Sequence, residues 1–207
     1  PLEQQGKIKV TDLGPSLIRE VFWFNLNDGK QPKTGKPLVD PVKLGWFKDA
    51  RFRQAVSHAI DREAIVRLVF AGKASPQYGF LSPGDKLWFN PQVPTYPYDP
   101  ARAKSLLAEA GFRLQNDDEL FDAAGRPVTF TLLTNAGNVL RQKMSAMIQA
   151  DLARLGIKLN LAAMESRALL STINDSMSYE AGLLAIISGD ADPNSHVNIL
   201  ASNGLTH

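Results

Sequence analysis

The chain has 207 residues, 44% of them hydrophobic, and a formal net charge of +2, which provides enough apolar material for one large domain or two small ones. Its lysines and arginines are scattered among the acidic residues, which argues against a nucleic-acid partner, and no run of about eighteen apolar residues could span a membrane. The absence of cysteine excludes disulfides, zinc thiolate sites and a cysteine nucleophile.

The first quarter of the chain predicts two strands followed by a loop. The segments KIKVTDLGPS and EVFWFNLN, at residues 7–16 and 20–27, favour strands because they contain β-branched and aromatic residues. Residues 28–45 are rich in glycine, proline and lysine, which is typical of a loop. No signal segment opens the chain, and because it begins at Pro1 rather than at methionine we expect a piece of a longer protein.

Two short helices are predicted next, over residues 49–60 and 61–72. Asp49 and Asp61 stand where N-caps are expected, and Gly72 stands where the second helix would end. Each helix has an apolar face with α-helical spacing. The two faces comprise Phe52, Ala55, Val56, Ala59 and Ile60, and then Ile65, Leu68 and Val69. The proline-, glycine- and aromatic-rich residues that follow predict a long surface connection, a kind of segment that often carries function.

From Asp99 onward the pattern alternates between helices and strands. Asp99 and Pro100 begin a predicted helix that ends at Gly111. The segments VTFTLLTN and IKLNLAAM predict strands on either side of a third long helix, and such a βαβ unit predicts parallel pairing. The apolar stripe of that helix comprises Leu140, Met144, Met147, Ile148 and Leu155. A second unit follows, with a helix around residues 166–174 and the strand AGLLAIIS, whose unbroken apolar run favours burial on both faces.

Two loops follow predicted strands at the edge where open α/β sheets bind ligands, outside the carboxyl ends of the strands. The segment TNAGN contains Asn135 and Asn138. The segment SGDADPNSH begins with Ser188, Gly189 and Asp190. Since Asp190 follows the strand most closely, its carboxylate is a candidate partner for a positively charged ligand group.

The alternation of Asp190, Asp192 and Asn194 resembles the opening of a calcium loop. An EF-hand loop needs glycine at its sixth position and a bidentate glutamate at its twelfth. Counting from Asp190, these positions hold Ser195 and Ala201, so we expect no metal. The alternative interpretation is that Asp192 forms a turn and Asn194 caps a helix.

Three longer motifs, FKDARFRQAVSHAIDREAIV, YDPARAKSLLAEAGF and MIQADLARLGIKLNL, occur in this order. Together they resemble the extracellular solute-binding proteins of family 5, the peptide, nickel and oligosaccharide receptors of bacterial ABC importers. The resemblance implies an α/β fold with a mixed sheet and βαβ units. It also implies that residues 1–207 form one lobe of a two-lobe periplasmic-binding-protein-like receptor, whose other lobe and a following helical segment lie outside this sequence.

The resemblance also suggests ligand-binding residues. In peptide-binding members an aspartate shortly before the Asp-Pro pair grips the ligand's α-amino group; Asp190 is the match, although only Ala191 separates it from Asp192 where those members have two residues. Dipeptide-selective members have an arginine for the ligand carboxylate where this chain has Asn135, which argues against a dipeptide. A longer peptide, a sugar or another polar solute stays open. The predicted ligand-binding residues are Asp190, Gly189, Ser188, Asn135, Asn138 and Trp88.

The remaining reactive or aromatic side chains predict no chemistry. His58 and His196 are interpreted as surface or capping residues, because neither belongs to a histidine cluster. Ser16 lacks the second glycine of a nucleophile elbow, so we expect no enzyme. Trp23 and Trp46 are predicted to be core or packing residues.

The leading functional hypothesis is therefore the ligand-binding lobe of an ABC-importer receptor. The expected partners are a peptide or other small polar solute and, through the full-length receptor, the ABC permease; no cofactor, nucleic acid or direct membrane span is expected. We expect a monomer in the periplasm or outside the cell, either free or lipid-anchored. The alternative is a sensor, regulatory or chaperone-like peptide-binding module built on the same fold.

Overall fold

The computed structural model describes residues 2–115, 119–187 and 192–201. Within these ranges the strands are β1 (Ile18–Phe24), β2 (Arg113–Gln115), β3 (Glu119–Phe121), β4 (Thr129–Asn135), β5 (Lys158–Met164) and β6 (Ala181–Ile187). The α-helices are α1 (Pro41–Lys48), α2 (Ala50–Ala59), α3 (Arg62–Val69), α4 (Pro100–Glu109), α5 (Val139–Ala153), α6 (Ser166–Ser171) and α7 (Val197–Leu200). A π-helical turn spans Thr172–Ser176 and a 3-10 helix spans Pro193–His196.

The strands form a mixed four-stranded sheet in the order β1-β6-β4-β5, and β2 and β3 form a separate antiparallel pair. Strands β4 and β5 are parallel and joined by α5, which confirms the first predicted βαβ unit. Strand β6 is parallel to β4 and pairs with it, not with β5. The connection from β5 to β6 therefore crosses β4. Strand β1 runs antiparallel to β6 along its whole length. The predicted fold class, α/β with a mixed sheet, is confirmed.

Side-chain caps begin the helices where the sequence predicted them. Asp49 accepts a hydrogen bond from Arg51 N at 2.8 Å, and Asp61 accepts one from Ala64 N at 2.8 Å. Asp99 accepts from Arg102 N at 2.9 Å. Because each side chain satisfies an amide that lacks a partner in the first turn, these helices begin at fixed residues.

Several sequence predictions were wrong for identifiable reasons. Residues 7–16 form no strand, since they are exposed and none of the described strands pairs with them. The predicted loop at 28–45 contains the start of α1, because Asp40 caps Val42 N at 2.8 Å and Pro41 fits the first turn. Leu68 and Leu140 are exposed and do not belong to the apolar faces of their helices. The β2–β3 pair was not predicted.

The core lies between one face of the sheet and helices α1, α2, α4 and α5. At its centre four aromatic rings meet: Phe24 stacks on Phe47 at 4.7 Å between centroids and lies 5.4 Å from Phe130, which is also 6.4 Å from Phe52. Burial of each ring stabilises the fold by about 1.5–3 kcal/mol. None of the helices in the described part of the chain is long and apolar enough to cross a membrane.

On the opposite face of the sheet, Trp23 packs against the backbone of β6. This residue pairs directly with Gly182 on β6, and a Cβ built on Gly182 would lie 2.7 Å from Trp23 Cη2 and 2.8 Å from Trp23 Cε2. The ring cannot move away freely, because Trp23 Nε1 donates to Tyr179 Oη at 3.0 Å. The glycine at 182 therefore provides the space for the indole.

We predict that Gly182→Ala lowers the free energy of unfolding by about 1–3 kcal/mol, because the new methyl group overpacks the Trp23 contact. The matched control is Gly45→Ala: Gly45 lies within α1, and a Cβ there would meet nothing within 4 Å. That variant should be more stable by about 0.5–1 kcal/mol, since alanine favours the helix. Urea unfolding of both variants measures the difference, and equal stability of Gly182→Ala and wild type would show that the indole shifts without penalty.

Candidate functional site

The candidate site lies at one end of the sheet, which we call the carboxyl edge and define by the ends of β4 and β6 at Asn135 and Ile187 and the start of β1 at Ile18. Ile18 pairs with Ile187, because β1 is antiparallel to its neighbour. Open α/β sheets bind ligands at this kind of edge. The polar side chains around it are therefore the first candidates for contact with a ligand.

The turn between β4 and α5 forms one corner of the edge. Gly137 adopts φ of +80°, a conformation that glycine reaches without strain. Asn138 is the N-cap of α5, and its Oδ1 accepts a hydrogen bond from Arg141 N at 3.0 Å. The oxygen of Asn138 is thus committed to the helix, and its contact with a ligand stays a prediction.

Arg141 organises this corner by bridging two elements. Its Nε donates to Glu20 Oε2 at 2.8 Å and its Nη2 donates to Glu20 Oε1 at 3.3 Å. Its Nη1 donates to Asn135 Oδ1 at 2.6 Å. On β6, which lies between β1 and β4, the residue paired with Glu20 is Ala185, whose side chain is a single methyl group. The side chains of Arg141 and Glu20 are only 13% and 19% exposed, so the pair is largely desolvated.

A second cluster, whose three polar members are buried, lies where β1 meets the loop before α4 and the segment after β6. Arg19 is 4% exposed and its Nη1 lies 3.6 Å from Asp85 Oδ2. Its Nη2 lies 3.4 Å from His196 Nε2, and its guanidinium carbon lies 5.0 Å from the centroid of Phe80. The ring of Phe80 also meets His196 edge-on at 5.1 Å.

His196 is 3% exposed, so it is not a surface residue. It stands at the N-cap position of α7, but its side chain makes no capping hydrogen bond there, so the predicted surface or capping role of the side chain is wrong. Burial, and then the charge of Arg19, lower the pKa of its imidazole below the usual 6.5. A neutral ring can accept a hydrogen bond from Arg19 through Nε2. Burial also lowers the pKa of Arg19, while the charge of Asp85 acts in the opposite direction.

The loop that contains Trp88 is held at the carboxyl edge by backbone and side-chain contacts. Ser82 Oγ donates to Ser16 O at 2.5 Å, and Trp88 N donates to Asp85 O at 2.9 Å. Trp88 is 52% exposed, so its indole is accessible to a ligand. Trp23 and Trp46, by contrast, are packed as predicted, and Trp46 Nε1 donates to Asp122 Oδ2 at 3.1 Å.

Three of the predicted ligand residues, Ser188, Gly189 and Asp190, lie outside the described residues. The chain is described up to Ile187 and again from Asp192. Asp192 Oδ1 accepts from Asn194 N at 2.8 Å, so Asp192 and not Asn194 is the cap of the 3-10 helix. Among the residues that the structure describes, no group of three or more metal-ligating side chains comes together.

The sequence interpretation missed Arg141, Glu20 and Arg19. A signal for the latter two was present in the strand segment IREVFWF, where two opposite charges interrupt an apolar and aromatic run. A charge within a buried strand needs a partner, so each one predicts a contact with another element. The partners themselves could not be identified from the sequence.

We predict that Arg19→Met lowers the free energy of unfolding by about 3–5 kcal/mol, because it leaves Asp85 buried without its counter-charge. The double variant Arg19→Met/Asp85→Leu should recover most of this loss. As a control, Lys48→Met breaks the exposed pair with Asp28 and should change stability by less than about 1 kcal/mol. Urea unfolding measures all three, and a double variant as unstable as the single one would show that Asp85 is not the relevant partner.

Comparison with known proteins places the chain in a family. It matches the family described as bacterial extracellular solute-binding proteins, family 5 middle, over residues 1–206. The oligopeptide-binding protein AppA of Bacillus subtilis is 37% identical over 142 residues, which are 64% of this chain and 26% of AppA. A probable ABC transporter-binding protein of Deinococcus radiodurans is 35% identical over 162 residues, which are 76% of this chain and 26% of the relative.

A solved structure shows the same fold. The structure of AppA from Bacillus subtilis in complex with a nonapeptide superimposes with a TM-score of 0.69 at 29% identity, over 88% of this chain and 34% of AppA. The chain spans about a quarter of the length of the curated relatives it matches. These relatives are named as binding proteins and not as enzymes. The chain belongs to the bacterial extracellular solute-binding proteins of family 5.

Proposed function

We propose that this chain is the ligand-binding lobe of an ABC-importer receptor for peptides or a related small polar solute. The observation that carries the proposal is the family match over residues 1–206, together with the likeness to AppA, whose structure holds a nonapeptide. The receptor delivers its solute to an ABC permease, acts as a monomer, and works in the periplasm or outside the cell, either free or lipid-anchored.

The carboxyl edge supports this proposal because it provides both polar and aromatic groups. Asn135 provides an amide at the end of β4, and Trp88 provides an exposed indole on the loop that is bound to Ser16 before β1. Solute pockets combine apolar and aromatic surface with a few placed polar groups in this way. Receptors that enclose a solute bury most of its surface, so the other lobe supplies the second half of the contacts.

We further propose that Asp190 binds the α-amino group of the peptide, as the resemblance to peptide-binding members implies. Asp190 follows Ile187, the last residue of β6, by three positions and precedes the capping residue Asp192 by two. The amide of Asn135, at the place of the arginine of dipeptide-selective members, favours a peptide longer than two residues.

In the full-length receptor we predict that Asp190→Asn weakens peptide binding by roughly 2 to 4 kcal/mol, the effect of breaking a desolvated charge pair. The matched control is Asp192→Asn, because an asparagine oxygen can still accept from Asn194 N and cap the 3-10 helix. Titration calorimetry with the peptide that copurifies with the receptor measures both variants. Circular dichroism verifies that each remains folded.

The two aspartates distinguish the outcomes. Loss of affinity in Asp190→Asn alone supports the amine contact. Loss in Asp192→Asn alone assigns the charge contact to Asp192 and removes it from Asp190. If the copurifying molecule is not a peptide, the proposed solute class is wrong although the receptor function stands.

A further inference from the structure

The contacts of Arg141 determine which atoms of Asn135 can meet a solute. A guanidinium group only donates hydrogen bonds and has no acceptor. The group that lies 2.6 Å from Arg141 Nη1 must therefore be the oxygen of the Asn135 side chain, as the structure has it. This fixes the amide orientation, which would otherwise be ambiguous, and directs Nδ2 away from the guanidinium.

Asn135 thus presents a donor at the carboxyl edge. Its side chain is at the last residue of β4 and is half-buried, so it is held in place yet accessible. Within the described residues, no protein acceptor lies within hydrogen-bond distance of Nδ2. An amide N–H₂ at such a position can donate to a carbonyl or hydroxyl oxygen.

The charge at this corner is balanced. Both oxygens of Glu20 accept from Arg141, at 2.8 and 3.3 Å, in the forked geometry that makes Arg–carboxylate pairs strong. The pair is largely buried, so water screens it little. A carboxylate of a solute that approached Arg141 would have to compete with Glu20 and would be repelled by it.

We propose that Asn135 is a neutral hydrogen-bond donor to an uncharged oxygen of the solute, such as a peptide carbonyl, and that Glu20 is a positioning residue that prevents this corner from selecting a terminal carboxylate. This inference rests on the proposed peptide-binding function. It assigns Asn135 to recognition of the peptide backbone, so at each length peptides with a free and with a blocked carboxyl terminus are accepted alike.

The test uses the full-length receptor and two matched peptide libraries, dipeptides to nonapeptides, which differ only in a free or an amidated carboxyl terminus. The libraries are mixed in equal amounts, and mass spectrometry measures the ratio of acid to amide among the retained peptides at each length. The wild type should retain both within about threefold of each other, because a neutral hydrogen bond does not distinguish them. In Glu20→Gln the ratio should shift by about tenfold toward the free acid, since the Arg141 charge becomes available to a carboxylate.

A second variant keeps the test decisive if Glu20→Gln does not fold. Asn135→Asp preserves the contact with Arg141 but replaces the donor by a negatively charged oxygen. It should reduce retention of both libraries by about tenfold, and of the free acids most. These shifts in selectivity are readouts that a purely structural role of Glu20 would not produce.

The outcomes separate this inference from the proposed function. If neither library is retained by the wild type, peptide binding is wrong and the inference falls with it. If peptides are retained but the wild type prefers the free acid by tenfold or more at every length, peptide binding stands. The proposal that Asn135 is a neutral donor and that Glu20 prevents selection of a carboxylate is then refuted. An unchanged acid-to-amide ratio in folded Glu20→Gln, or unchanged retention in Asn135→Asp, refutes it as well.

Discussion

The arrangement of the carboxyl edge depends on the charge of Arg19, which β1 carries into the protein interior. A guanidinium at 4% exposure is tolerated only where other groups replace the water it has lost. Asp85, Phe80 and His196 provide these contacts from two distant segments. The loop before α4 and the segment after β6 are thereby held against the same strand. The exposed Trp88 and the cap at Asp192 depend on this anchoring, since each lies within a few residues of a member of the cluster.

The side chains of β1 point alternately to the two faces of the sheet, so this one strand makes contacts on both sides of the carboxyl edge. Successive side chains of a strand point to opposite faces, so Arg19 and Glu20 lie on different sides of the sheet. Arg19 faces the loop and the 3-10 helix, and Glu20 faces α5 through Arg141. Two opposite charges at adjacent positions therefore serve two separate networks. Because β1 is at the end of the sheet order, both networks also cover a strand that has one hydrogen-bonded neighbour among the described strands.

Local signals explain what the sequence could predict. The caps at Asp49, Asp61 and Asp99 act within their own first turns, and the βαβ unit of β4, α5 and β5 follows from apolar periodicity. The pairing of β6 with β4 was not accessible, because nothing in β6 specifies which parallel strand will be its neighbour. Composition was misleading at α1, because the glycine and lysine content of this segment predicted a loop. The cap Asp40 and Pro41 begin a helix there instead. Composition was misleading again at residues 7–16, whose apolar side chains are exposed and do not pack against the described sheet.

At the candidate site, too, local features could be predicted from the sequence and contacts between distant residues could not. Asn135 could be identified because it ends a predicted strand, and this property is local. Its orientation could not be predicted, since it depends on Arg141 six residues later and on Glu20, which is 121 residues from Arg141 in sequence. Arg19 and His196 are 177 residues apart in sequence, so their contact could not be predicted. For this reason His196 was interpreted as a surface or capping residue although it is buried.

A sequence therefore indicates which residues stand at the edge of a sheet, whereas the charges that face them decide what chemistry they present. At this edge the basic side chain nearest to Asn135 is already neutralised by the fold. An asparagine beside a free arginine would assist in binding an anion. An asparagine whose oxygen is bound by a paired arginine has its amide hydrogens directed away from that arginine and toward a solute, and this difference is decided by a strand far away in the chain.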